Sequence, residues 1–122
     1  MEDTFGRLPD DILKYMCLLN VEPKITLEEN TVIQIELPLL GICYNFCLKS
    51  KEFLMKEEIE MLVSFINEIN DNKLNIDFGE SWIHMSNKFI VFMDKYSTMN
   101  ISIKYLPIIK NILEEYKHYL LS

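Results

Sequence analysis

The stretch Ser50–Glu80, SKEFLMKEEIEMLVSFINEINDNKLNIDFGE, decides how this chain is read. Within it Ile59, Leu62, Val63, Ile66 and Ile69 recur at i, i+3, i+4, i+7 and i+10, so a helix over about Leu54–Asn70 presents one apolar stripe. Glu57, Glu60, Ser64, Asn67, Glu68 and Asp71 occupy the rest of its surface. After the helix the pattern alternates: Leu74, Ile76 and Phe78 against Asn75 and Asp77, as in a half-buried strand, with Gly79-Glu80 as a turn. A striped helix beside strands with one apolar face predicts an α+β domain in which the helix lies on the sheet.

The same stretch holds most of the excess charge. From Glu57 to Glu80 there are seven acids (Glu57, Glu58, Glu60, Glu68, Asp71, Asp77, Glu80) and one base, Lys73; seven minus one leaves −6 of a net −7. Two readings are open: a solvated helix face with acids near its N-terminal turn, or an electrostatic docking surface that speeds association with a basic protein and selects it.

Working towards the N-terminus, Ile42, Tyr44, Phe46 and Leu48 alternate with Cys43, Asn45, Cys47 and Lys49, and Ile33, Ile35 and Leu37 with Gln34 and Glu36. Pro38–Gly41 supplies the turn of a hairpin. Leu8, Ile12, Met16 and Leu19 share a helical face behind Pro9, Asp10 and Asp11, which suit a first helical turn, and Pro23 stops that helix. Leu8-Pro9-Asp10-Asp11-Ile12-Leu13 resembles the opening of an F-box, but the chain soon turns to strands instead of further helices.

Working towards the C-terminus, short strands are predicted at Trp82–Met85, Phe89–Met93 and Met99–Tyr105, an antiparallel meander continuing from Leu74–Phe78. A closing helix starts at Pro107, with Ile109, Ile112, Leu113, Tyr116 and Leu120 facing the core and Lys117 and His118 near its C-terminus. The predicted fold is a single α+β domain over 1–122: a leading helix and linker over 1–25 and a ββα-ββββα body over 30–122. The body is read as one antiparallel sheet of about five or six strands with two amphipathic helices packed on it.

Composition narrows the function classes. With 122 residues, 49% hydrophobic and 25% charged, the chain is one ordinary globular domain, and 3 Gly and 4 Pro leave little room for disorder. Alanine is absent while Ile, Leu, Asn, Lys and Met abound, which points to an AT-rich genome, bacterial or viral. A net charge of −7 repels phosphate backbones, so no nucleic-acid partner is expected. The acidic start Met1-Glu2-Asp3 is wrong for a secretory leader, and no apolar run is long enough for a bilayer. With three cysteines, Cys17, Cys43 and Cys47, the expectation is a reducing, cytoplasmic setting and no membrane.

No chemistry-bearing motif stands out. On a strand Cys43 and Cys47 sit about 13 Å apart, too far for a disulfide or a shared metal, so both are read as small half-buried side chains. His84 and His118 are the only histidines, and neither completes a nucleophile–base–acid spacing. His118 is read as complementing the helix dipole, and His84, beside Trp82, as a residue of a binding face. The glycines Gly6, Gly41 and Gly79 stand singly and cradle no phosphate. No cofactor, metal or catalysis is predicted.

The order of strand pair, amphipathic helix, antiparallel strands and closing helix resembles the WapI-type immunity proteins of bacterial toxin systems. The resemblance is carried by Thr31–Lys49, by Met55-Lys56-Glu57-Glu58-Ile59-Glu60-Met61-Leu62 opening the helix, and by Ile101-Ser102-Ile103-Lys104-Tyr105-Leu106 before the last helix, and it covers roughly residues 30 to 121. It implies a small, acidic, cytosolic protein that neutralises a toxin by binding it. Type III secretion chaperones are similar in size and acidity, often dimeric, and ordered helix, three strands, helix, two strands, helix. The sequence pattern departs from them, with two strands before the middle helix. A viral host-interaction protein shares the composition. The resulting expectation is a non-enzymatic binding protein, monomer or homodimer, contacting a basic protein partner through Glu57, Glu60, Glu68, Asp71, Asp77, Glu80, Trp82 and His84.

Overall fold

A computed structural model describes residues 22–38, 40–71 and 75–122, with the backbone alone at 70 and 71. The predicted helix over Leu8–Leu19, together with Cys17, Lys73 and Leu74, lies outside the described residues. The order is β1 (Lys24–Glu28), β2 (Val32–Leu37), β3 (Ile42–Cys47), α1 (Lys56–Asn67), β4 (Asn75–Asp77), β5 (Ser81–Met85), β6 (Phe89–Asp94), β7 (Thr98–Ser102) and α2 (Leu106–Leu121). Short 3-10 turns occupy Lys51–Phe53, Glu68–Asp71 and Ile103–Tyr105.

The fold class is α+β with antiparallel pairing throughout, but there are two sheets instead of one, in the orders β1-β2-β3 and β4-β5-β6-β7. Strand β1 covers the end of the expected linker and the residues before 30 to which the sequence reading gave no element. It is held by a tight hairpin in which Glu29 and Asn30 both take positive φ, 53° and 67°, and the Thr31 N–H donates to the Glu28 carbonyl at 3.2 Å. Left-handed residues match the hairpin to the right-handed twist of its strands. Glycine, the usual marker of such a turn, is absent here, which hid the hairpin. The β2–β3 hairpin forms as predicted, with Leu40 N–H bonded to Leu37 O at 3.0 Å and Gly41 at φ 64°. The last predicted strand ends at Ser102, and Ile103–Tyr105 turns into α2 instead.

Alternation chooses the inner faces. Ile33, Ile35 and Leu37 of β2 and Tyr44 and Phe46 of β3 are buried, as are Ile83 of β5, Ile90 and Phe92 of β6 and Met99 and Ile101 of β7. The inner faces of the two sheets meet where Phe46 sets its ring edge-on against Phe92, centroids 5.2 Å apart. Such a pair adds about 0.5–1.5 kcal/mol to the burial of the rings themselves. The helices do not simply lie on one sheet: α1 packs on α2 and on β4, and α2 packs on β1. They therefore close the side where each sheet has its first strand. Leu62 and Ile66 of the α1 stripe are buried, with Ile69 in the turn beyond, while Ile59 and Val63 are half-buried.

The segment between β3 and α1 is tied to the last helix. The Tyr116 hydroxyl donates to the Lys49 carbonyl, the Lys51 N–H donates to the Tyr119 hydroxyl at 3.0 Å, and Lys51 Nζ donates to the Ser122 carbonyl at 2.6 Å. Tyr116 is fully buried, packed edge-on against Phe78 at 5.7 Å. Lys117 Nζ donates to Asn67 Oδ1 at 3.0 Å and pairs with Glu114 at 3.0 Å, so it joins the C-terminal ends of both helices.

Candidate functional site

The predicted partner-binding residues separate into two groups. Glu57 and Glu60 on α1 and Glu68 at its C-terminal cap are exposed, on the side away from Leu62 and Ile66. Glu58 is set apart from them: its Oε1 accepts from the Met55 N–H at 2.9 Å, capping the helix, and its other oxygen lies 3.9 Å from Lys49 Nζ. The Asp71 side chain lies outside the described residues.

The second group belongs to the four-stranded sheet. Register places Asn75 opposite His84 and Asp77 opposite Trp82, then Trp82 opposite Met93 and His84 opposite Val91. These residues share the outer face of the sheet, the one turned away from Phe92. Trp82, Val91, Met93 and Phe89 are half-buried there, and His84, Asn75 and Asp77 are exposed. Trp82, His84, Asn75, Met93 and Asp94 line an open hollow of about 420 Å³. Asp77 also borders a smaller hollow of about 140 Å³ beside α1, with Glu58, Met61 and Lys49 among its walls. Asp77 is thus the one predicted residue of the sheet that borders a hollow shared with α1.

Each acid of the second group has a local role. Asp77 Oδ1 accepts from the Gly79 N–H at 2.7 Å, holding the turn in which Gly79 takes φ 90°. Glu80 pairs with Lys95 at 3.6 Å. Asp94 Oδ1 accepts from the N–H groups of Tyr96 and Ser97, at 2.9 and 2.8 Å, and from the Ser97 hydroxyl at 3.1 Å. Because Ser97 spends its proton on Asp94, the Tyr44 hydroxyl donates to Ser97 Oγ at 3.1 Å, linking the two sheets. Burial pushes the Tyr44 hydroxyl pKa up, and the nearby Asp94 charge adds to the rise.

Asn75, Met93 and Asp94 were not anticipated as site residues. The signal was present in Phe89-Ile90-Val91-Phe92-Met93, a strand apolar on both faces, which marks a sheet whose outer face is not simply solvated. The free cysteines Cys43 and Cys47 correct another expectation: both are exposed on the outer face of the three-stranded sheet, not half-buried. Among the described residues no cluster of three or more His, Cys, Asp or Glu has a metal-binding arrangement, and no helix is long and apolar enough to cross a membrane. Neither histidine is hydrogen-bonded to a nucleophile among the described residues; His118 lies 4.0 Å from Glu114. No protein-family model, curated protein or solved structure matches this chain.

Proposed function

We propose that this chain is a non-catalytic protein-binding module that neutralises a basic partner, in the manner of an immunity or inhibitor protein. The observation that carries the reading is the outer face of the four-stranded sheet. Its centre, Trp82 with Val91 and Met93, is partly apolar, Asp77 stands opposite Trp82, and Glu80 lies in the turn between their strands. Partly apolar ground with an acidic surround is the anatomy of a recognition surface, aromatic at its centre and charged at its rim. Glu57 and Glu60 of α1, with Glu68 at its end, extend the negative field and accelerate encounter with a basic protein.

The test is whether the neighbouring gene encodes a toxin domain with which this chain co-purifies, followed by affinity measurement across a salt series. Reversing Glu57, Glu60 and Glu68 to Lys is expected to slow association and flatten the salt dependence, and Trp82→Ala to speed dissociation. Failure of the neighbouring toxin domain to form a complex, or an affinity indifferent to both sets of substitutions, defeats the proposal.

One observation favours a second reading. Strand β1 brings the first half of the body to three strands followed by a helix, the order of the secretion chaperones, although four strands still follow α1. That reading predicts a dimer binding an extended segment, so a monomer by light scattering at working concentration rejects it.

A further inference from the structure

We propose that β3 is the seam of a homodimer, in which two copies pair this strand antiparallel about a twofold axis at Asn45. The inference is independent of the binding reading above, which concerns the other sheet. Strand β3 is an edge of the three-stranded sheet. The Leu48 N–H donates to the Thr31 carbonyl at 2.6 Å, so Thr31 and Leu48 form a hydrogen-bonded pair of the ladder. The register continues from there without a bulge, and antiparallel alternation makes Ile33–Phe46, Ile35–Tyr44 and Leu37–Ile42 the other hydrogen-bonded pairs. The N–H and C=O groups of Cys43, Asn45 and Cys47 therefore point the other way, to the free edge. No backbone bond among the described residues takes them up. The side chains of these three residues are exposed as well.

Sheet edges are ordinarily guarded by charge, proline, a bulge, shortness or a covering element. Strand β1 carries Lys24 and Glu28 and has α2 beside it, and β4 is three residues long with α1 beside it. On β7 the outward residues Thr98, Asn100 and Ser102 are half-buried. Among the described residues, Ile42–Cys47 has none of these guards. The order of its residues then selects the occupant. Cys43 and Cys47 are symmetric about Asn45, so a twofold axis there sets Cys43 opposite the second copy's Cys47 and Asn45 opposite its own counterpart. Each of these positions exchanges both backbone bonds with the one it faces, so every outward group of the three residues is satisfied. On the inner side Tyr44 falls beside the second copy's Phe46, an aromatic cross-strand pair, and no charge meets its like. Little apolar area is added, so the dimer is concentration-dependent and not obligate.

The cysteines make the register measurable. Opposed Cβ atoms across the seam lie roughly 5 Å apart, whereas Cys43 and Cys47 of one chain are about 13 Å apart along the strand. In a Cys17→Ser background, dibromobimane, a short two-armed thiol alkylator, is expected to give a covalent dimer. Adding Cys43→Ser or Cys47→Ser is expected to abolish it, because the two remaining like thiols are then at least about 13 Å apart. Mixing these two single-thiol proteins is expected to restore it. Light scattering without reagent is expected to show the mass rising to that of a dimer with concentration. Asn45→Lys places like charges opposite each other at the axis and is expected to weaken the dimer at least about tenfold, and mixing it with Asn45→Glu to restore pairing. A retained melting temperature in dilute solution shows that each variant is folded. A monomer at millimolar concentration, a covalent dimer from one single-thiol protein alone, no restoration on mixing, or a dimer indifferent to Asn45→Lys overturns the proposal.

Discussion

Replacing Tyr116 with Phe tests how the last helix holds the body together. The ring stays and keeps its edge-on contact with Phe78, but the hydroxyl that donates to the Lys49 carbonyl is lost. Losing a buried bond and leaving its acceptor unpaired costs about 1–2 kcal/mol at neutral pH. Unfolding entropy of about 2.1 cal/mol/K per residue over this length gives roughly 0.26 kcal/mol/K, so the melting temperature falls about 4–8 °C. The pH dependence is more diagnostic. Burial raises the Tyr116 pKa well above its ordinary value near 10, with the neighbouring Tyr119 adding to the rise. Between those two values the folded state keeps a proton that the unfolded chain has released. Stability from this group is therefore complete below pH 10 and declines as pH rises towards the folded value. The wild-type advantage over Y116F should shrink by about 1.4 kcal/mol between pH 9 and pH 11. Urea unfolding of both proteins at pH 8, 9, 10 and 11 measures it. A gap that stays constant across that range refutes the assignment of a buried, proton-retaining hydroxyl.

Three further outcomes are expected. Glu29→Gly relieves a left-handed residue in the β1–β2 hairpin and should stabilise the fold by about 0.5–1 kcal/mol in urea unfolding, whereas no change or a loss would mean that Glu29 is not held at positive φ. Phe46→Ala removes half of the ring pair between the sheets and should cost about 3–5 kcal/mol, while Asn45→Ala on the exposed face of the same strand should stay within about 0.5 kcal/mol. In a Cys17→Ser background both remaining thiols, Cys43 and Cys47, should react with an aromatic disulfide reagent without denaturant; protection of either contradicts its exposed position on β3.

Alternation made the inner faces legible. Every predicted core residue of α2 (Ile109, Ile112, Leu113, Tyr116 and Leu120) is buried, and so are Ile33, Ile35, Tyr44 and Phe46. What covers those faces was not legible. A strand pattern states that one face is dry, but the edge-on meeting of Phe46 with Phe92 joins residues far apart in sequence, and no local signal encodes it. Hence one helix-covered sheet was expected where two sheets face each other. Strand β1 was missed because Pro23 reads as a stop and Glu29 as an unlikely left-handed turn residue. Of the proposed binding residues, Trp82 and His84 share a face because they are two apart on a strand. Grouping them with the α1 acids was a reading of charge density, which records proximity along the chain and not across the sheet.

The contact between β1 and α2 also bears on how the chain is made. During synthesis, β1 to β3 can pair as soon as they emerge, and β4 to β7 can do the same, since each connection within a sheet is local. The element that packs beside β1 comes only with Leu106–Leu121, after the strands of both sheets. Until then the apolar inner side of the first sheet lacks part of its cover. The nascent protein thus passes through an interval in which hydrophobic surface is exposed on the ribosome, and final closure is a single late, long-range event.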